Sequence, residues 1–267
     1  MRFAFTSLIV SSFATSAALA QHGGDIGISL VPIGKETFRI ETSLLVAKGD
    51  PIPGERVFAA EMGEAGVPHA TDEPGFDAEP GTFWAGTRLT FACPDGLSLF
   101  TGDGVVPAGD ERFAISYLTL SRTVGSGPVE GFPLFVTVDG GWHRHFVFEA
   151  TRADGGLPQP AIYVLPMVLA TDQPGVEASE EFFLVFNDGM SEEEHDAAIA
   201  WVEENLAGGH HCAADLDHDG SVGGGDLTIV LSAWGDAGGA ADLDGDGTVG
   251  ASDLTAILAA WGACGGG

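Results

Sequence analysis

The sequence predicts a mainly β protein: an antiparallel β-sandwich with one late α-helix, followed by a small α tail built from two loop–helix repeats. Three observations carry that expectation. Short apolar runs punctuated by Gly, Pro and Asp fill residues 21–207, a helix-capping sequence interrupts them at Ser191, and an acidic repeat occupies residues 212–264.

The first element is not part of the fold. Met1 and Arg2 give a positive start, residues 3–20 are apolar or small, and Ala18-Leu19-Ala20 closes the stretch. That is the pattern of a secretory signal peptide over residues 1–20, so the protein is expected to be secreted with Gln21 as its first residue. No second stretch of about 20 apolar residues follows, and no membrane span is expected. The 267 residues carry 39 acidic and 10 basic side chains, for a net charge of −29. No nucleic-acid partner is expected, because no Lys/Arg cluster exists to neutralise phosphates. Disorder is not expected either, since 45% of the residues are hydrophobic and 17 are Phe.

Within 21–207, strand character falls on 26–31, 38–46, 88–92, 112–120, 132–138, 142–150, 161–169 and 182–186. Phe113, Ile115 and Tyr117 alternate with Ala114, Ser116 and Leu118, the period of a half-buried strand. Turn strings such as Asp139-Gly140-Gly141 and Asp154-Gly155-Gly156 separate the runs. Many short strands without interleaved helices suggest a sandwich or barrel. Ser191 with Glu194 three residues on is a capping box, and the first-turn glutamates complement the positive helix end. Ala198, Trp201 and Val202 continue the helical spacing until Gly208-Gly209, where a linker over 208–211 begins.

Residues 213–235 and 240–262 repeat at a 27-residue period with 16 of 23 positions identical. In the first copy Asp215, Asp217, Asp219 and Asp226 fall at loop positions 1, 3, 5 and 12; in the second, Asp242, Asp244, Asp246 and Asp253 do. Gly220 and Gly247 stand at position 6, where the chain turns sharply. This is the grammar of a calcium loop, in which hard oxygens converge on one ion, and Ser221 and Thr248 at position 7 would add a backbone carbonyl. Residues 212–264 hold nine acids and no Lys or Arg, and eight of the nine stand at those positions. Two bound Ca²⁺ ions are therefore expected. After each loop comes an apolar helix, over 227–234 and 254–261, with Leu227, Leu231 and Trp234 on one face and Leu254, Leu258 and Trp261 on its counterpart. No helix precedes the first loop, so the expected module is two loop–helix units packed face to face. Cys212 and Cys264 bracket it and would close its ends as a disulfide in an oxidising compartment, leaving Cys93 a buried free thiol.

Through Asp-Leu-Asp-x-Asp-Gly-x-Val-x-x-x-Asp-Leu, present twice, the tail over 212–264 resembles a type I dockerin domain, an EF-hand-like module. The resemblance implies calcium-dependent docking onto a cohesin-like extracellular protein, often in polysaccharide-degrading or cell-surface assemblies. Positions 10 and 11 of each loop, which usually read the partner as hydroxyl pairs, are Gly224-Gly225 and Ala251-Ser252 here, and the basic residues that usually follow are absent.

Catalytic grammar is missing from 21–207: there is no Gly-x-Ser-x-Gly elbow, no His-Glu-x-x-His, no phosphate-binding loop and no Cys-x-x-Cys. The sequence therefore favours a non-catalytic protein. The alternative is a secreted polysaccharide hydrolase, a glycoside hydrolase whose paired carboxylates only space would reveal. Trp84 could stack on sugars or lie in the core. His143 and His145, at i and i+2, project to one side of a strand whose other side is Trp142, Arg144, Phe146 and Phe148. Two such imidazoles can share Zn²⁺, with His22 the expected third ligand and His69 and His195 the other imidazoles available. Five segments are similar to a family of exported bacterial proteins repressed by the zinc-uptake regulator, many of which end in a PEP-CTERM sorting tail. They are His22-Gly23-Gly24-Asp25-Ile26, Asp72-Glu73-Pro74-Gly75-Phe76, Trp142-His143-Arg144-His145, Phe183-Leu184-Val185-Phe186-Asn187 and Glu194-His195-Asp196-Ala197-Ala198-Ile199. That resemblance implies an exported protein with a part in zinc handling or in life without zinc.

Overall fold

Period-two burial marks strands such as Glu111–Tyr117 as the sequence leads one to expect, and the sheets are partly mixed and partly antiparallel. The structure, a computed structural model, describes residues 24–46, 51–64, 66–207, 214, 216, 221–235, 241–243 and 247–263, without the side chains of Ser221 and Ala263. The expected signal peptide, the expected ligand His22, the expected 208–211 linker and the expected Cys212–Cys264 disulfide lie outside these residues. The described chain is mainly β, with three helices.

In the first sheet Ile26–Pro32 pairs antiparallel with Phe38–Leu44 and parallel with Phe76–Ala78, which also carries Trp142–Arg144. A second holds Leu120–Val124, Glu111–Tyr117, Val147–Arg152 and Ala70–Thr71 in that order. The third runs Arg88–Cys93, Ala161–Thr171, Phe182–Asp188, Val57–Glu61. The purely antiparallel expectation is corrected here. Phe182–Asp188 lies parallel to Val57–Glu61, and Val176–Glu177 parallel to Phe38–Leu44. Parallel neighbours need a long connection rather than a hairpin, and the rest of the fold supplies it.

Two expected strands are each split in two. The 112–120 run turns at Leu118, whose φ of 53° closes a hairpin between Glu111–Tyr117 and Leu120–Val124. The 142–150 run divides at His145-Phe146, with Trp142–Arg144 and Val147–Arg152 entering different sheets. The break coincides with Phe146 turning into the core, where its ring meets Phe76 and Phe91 at 5.3 Å each and Phe132 at 5.8 Å. Trp142, Phe146 and Phe148 are buried while His143, Val147 and Glu149 are exposed, so the inward–outward alternation survives the break.

Phe182–Asp188 is buried at every residue. Phe182, Leu184 and Phe186 enter the main core, and Phe183 and Val185 lie under α1 (Glu192–Asn205), which sets Ala198 and Val202 on them. A strand covered on both faces reads as a continuous apolar run rather than an alternating one. The capping box forms as expected: Glu194 N–H donates to Ser191 Oγ at 3.3 Å, and Ser191 N–H donates to Glu194 Oε2 at 3.0 Å.

In the tail, α2 (Gly224–Ser232) and α3 (Ala251–Ala259) start three residues before the expected bounds and stop two residues short of them. The early start follows from Asp226 and Asp253, whose carboxylates accept the N–H of Gly223 and Gly250 and cap each helix. The buried stripe is also shifted. Ala214 and Ala241, Val222 and Val249, and Val230 and Ile257 form the tail core as three repeat-related pairs. Leu231, Trp234, Leu258 and Trp261, expected on the packed face, are each about half exposed. The repeats are stitched reciprocally: Ser221–Val222 pairs with Gly262–Ala263, and Gly235 N–H donates to Val249 O at 2.9 Å.

Candidate metal centres

The position-12 aspartates tie each tail loop together. Asp226 Oδ1 accepts from Leu216 N–H at 2.6 Å and its Oδ2 from Gly223 N–H at 2.7 Å. Asp253 makes the equivalent bonds from Leu243 N–H at 2.7 Å and Gly250 N–H at 2.6 Å. Both carboxylates are wholly buried. Asp242, at position 1, accepts from Gly247 N–H through Oδ2, while its Oδ1 is buried without a hydrogen-bond partner among the described residues. A cation would satisfy such a buried carboxylate oxygen, and residues 212–264 contain no Lys or Arg. The donor set fits Ca²⁺, which takes oxygen ligands and would neutralise these acids. Asp215, Asp217, Asp219, Asp244, Asp246 and the Ser221 side chain lie outside the described residues; Thr248 is exposed in the second loop.

A second group forms in the β region. Among the described residues, Asp25, His143 and His145 bring one ligand atom each to within 4.8 Å of one another. Strand pairing places them: His143 stands opposite Asp77, and Ile26, next to Asp25, stands opposite Phe76. His143 Nδ1 donates to Asp77 Oδ1 at 3.0 Å, and His145 Nδ1 donates to the Asp72 carbonyl at 3.0 Å. Both Nδ1 atoms therefore carry the proton, and in the neutral rings both Nε2 atoms are left with a lone pair. The imidazole centroids are 5.0 Å apart. Asp25 Oδ1 accepts from Gly75 N–H at 3.1 Å, and Oδ2 lies 4.0 Å from His145 Nε2. Glu73 flanks the group with Oε1 3.7 Å from His145 Nδ1. Burial holds the Glu73 carboxyl above the usual carboxylate range, His145 opposes the rise, and the charge of Asp25 adds to it.

The histidine pair anticipated from the i, i+2 spacing thus meets, and the third group beside it is Asp25. Sequence spacing missed Asp25, because only the pairing of three separate strands brings it to the pair. Among the described residues the other two imidazoles are engaged elsewhere. His69 Nδ1 is 2.7 Å from Asp188, and His195, fully buried, bonds to Glu61 Oε1 and the Val185 carbonyl at 2.9 Å each. Cys93 is a buried free thiol, as expected; burial pushes it up to about 12, which keeps it protonated and inert. Trp84 is not in the core: it is 61% exposed. It lines an open cleft of about 740 Å³ with Leu30, Glu36, Phe38, Thr82 and Gln173. Among the described residues no helix is long and apolar enough to cross a membrane. No family model matches the chain, and no curated protein matches it.

Proposed function

We propose that this is a secreted, non-catalytic attachment protein, in which a dockerin-like tail holds two Ca²⁺ ions and docks onto a cohesin-like or other extracellular protein, while a β-sandwich region presents a binding surface. Asp215, Asp217, Asp219, Ser221 and Asp226 would hold one ion and Asp242, Asp244, Asp246, Thr248 and Asp253 the other, each ion supplying the charge that lets the loop close. The observation that supports the reading is the matched pair of buried aspartates, Asp226 and Asp253, in the first turns of α2 and α3, together with Leu231, Trp234, Leu258 and Trp261, which stay about half exposed. Apolar side chains repeated at equivalent exposed positions are what a docking face requires.

Calorimetry on the full chain should find two calcium ions, and a chelator wash of producing cells should release the protein. The double variant Trp234→Ala, Trp261→Ala should still bind two ions but appear in the medium without chelator. Release that ignores both calcium and the tryptophans would refute docking, and the absence of calcium uptake would refute the whole reading.

Glycan binding by the β region is a second reading, favoured by the exposure of Trp84 and Phe38 on the cleft. An indole face offers a stacking surface for a sugar ring, and Glu36 and Gln173 offer hydrogen bonds to hydroxyls. Retention on insoluble polysaccharide should fall severalfold in Trp84→Ala; no retention by the parent chain would dismiss this reading.

A further inference from the structure

We propose that Asp25, His143 and His145 form a surface site for one divalent transition-metal ion of the zinc class, built by the first sheet and independent of the calcium loops. Two imidazoles and one carboxylate suit such an ion, with water completing the shell. Three features distinguish the group from polar residues that happen to meet.

The rings are oriented before any ion arrives. Each Nδ1 is tied by a donated hydrogen bond, one to the Asp77 carboxylate and one to the Asp72 backbone carbonyl. This is the arrangement that fixes the tautomer of metal-bound histidine, raises its basicity and leaves Nε2 as the ligand atom.

The spacing is that of atoms which share an ion rather than a proton. Asp25 Oδ2 and His145 Nε2 are 4.0 Å apart, beyond hydrogen-bond reach. Two atoms each about 2.0–2.1 Å from a tetrahedral ion stand about 3.4 Å apart, so a small inward movement of an aspartate side chain closes the shell. The charge balance is also suitable: two neutral imidazoles with the Asp25 and Asp77 carboxylates offset the two positive charges of the ion.

The backbone makes room for the group. A Cβ on Gly75 would stand 2.5 Å from His145 Cε1, 2.6 Å from its Nε2 and 2.7 Å from Asp25 Oδ1. No substituent fits there without moving two of the three ligands. Gly75 also donates its N–H to Asp25 Oδ1, so the same residue aims the carboxylate and clears the space beside it.

The test is zinc titration of the full chain against a chromophoric chelator, at saturating calcium and in a His210→Ala, His211→Ala background that removes the two consecutive histidines of the sequence. One high-affinity Zn²⁺ per chain is expected. His143→Ala and His145→Ala should each weaken it by at least tenfold, and Asp77→Asn, which keeps every ligand, by roughly 10–100-fold. Gly75→Ala should weaken zinc binding while thermal unfolding of the metal-free protein stays cooperative. His143 is more than half exposed, so its loss tests the site without emptying the core. Zinc affinity within twofold of the parent in both His143→Ala and Gly75→Ala overturns the proposal, as does failure of the parent to bind zinc.

Discussion

Stripping calcium from the full chain should melt α2 and α3 and leave the β region folded. Eight aspartates stand at the proposed ligand positions within residues 212–264, a stretch that contains no Lys or Arg. Asp226 and Asp253 are wholly buried, and one oxygen of Asp242 is buried without a hydrogen-bond partner among the described residues. The tail core that must outweigh this repulsion is small, its fully closed part being Ala214, Val222, Val230, Ala241, Val249 and Ile257. An ion that binds only the folded loop contributes about 4 kcal/mol when free calcium is a thousand times Kd. Two ions at that level exceed what so small a core can hold by itself. Circular dichroism with and without chelator should show loss of helix signal confined to the tail, while the unfolding transition of the β region stays in place. A tail that keeps its helix signal in excess chelator would show that the apolar pairs suffice and that calcium is not its scaffold.

Phe146→Ala should cost the β region about 3–5 kcal/mol, a large share of the roughly 5–15 kcal/mol that holds a domain together. The ring touches Phe76, Phe91 and Phe132, and also Trp142, Tyr117 and Phe148 at 6.1–6.4 Å, so its removal leaves a cavity walled by other rings that have little freedom to collapse. Phe146→Leu should restore most of the loss. Urea unfolding followed by tryptophan fluorescence measures both, through a shift of midpoint at constant slope. A cost below about 1 kcal/mol for the alanine variant would mean the aromatic cluster is not the centre of one cooperative core.

Much of the fold was legible in the sequence, and the reason is local. Period-two burial in Glu111–Tyr117, the Ser191–Glu194 cap and the repeated tail are all encoded within a few residues of one another. What escaped is what depends on distant chain. Nothing near Phe183 announces that Val57 will lie parallel to it, and nothing in the alternation around Phe146 announces that the strand changes sheets there. The helix faces of the tail differ from the expected ones by about one residue, Val230 and Ile257 lying inward and Leu231 and Leu258 half exposed, because the buried face is set by packing between the two repeats, which spacing within one helix does not report. The candidate site divides in the same way. The His143–His145 spacing could be seen directly, whereas Asp25, Asp77 and Gly75 belong to it only through the pairing of strands far apart in sequence.

The reciprocal stitching of the tail makes each copy depend on the other. The closed apolar cluster draws three residues from each repeat, and each repeat lends the other a backbone partner at Val222 or Val249. Half of such a unit has no inside. A single copy by itself would enclose its apolar residues only by meeting a second chain, in the twofold manner of a homodimer. With both copies in one polypeptide the meeting does not depend on concentration, and the two halves need not be identical: Val230 stands where the other copy has Ile257, and Ser221 where it has Thr248.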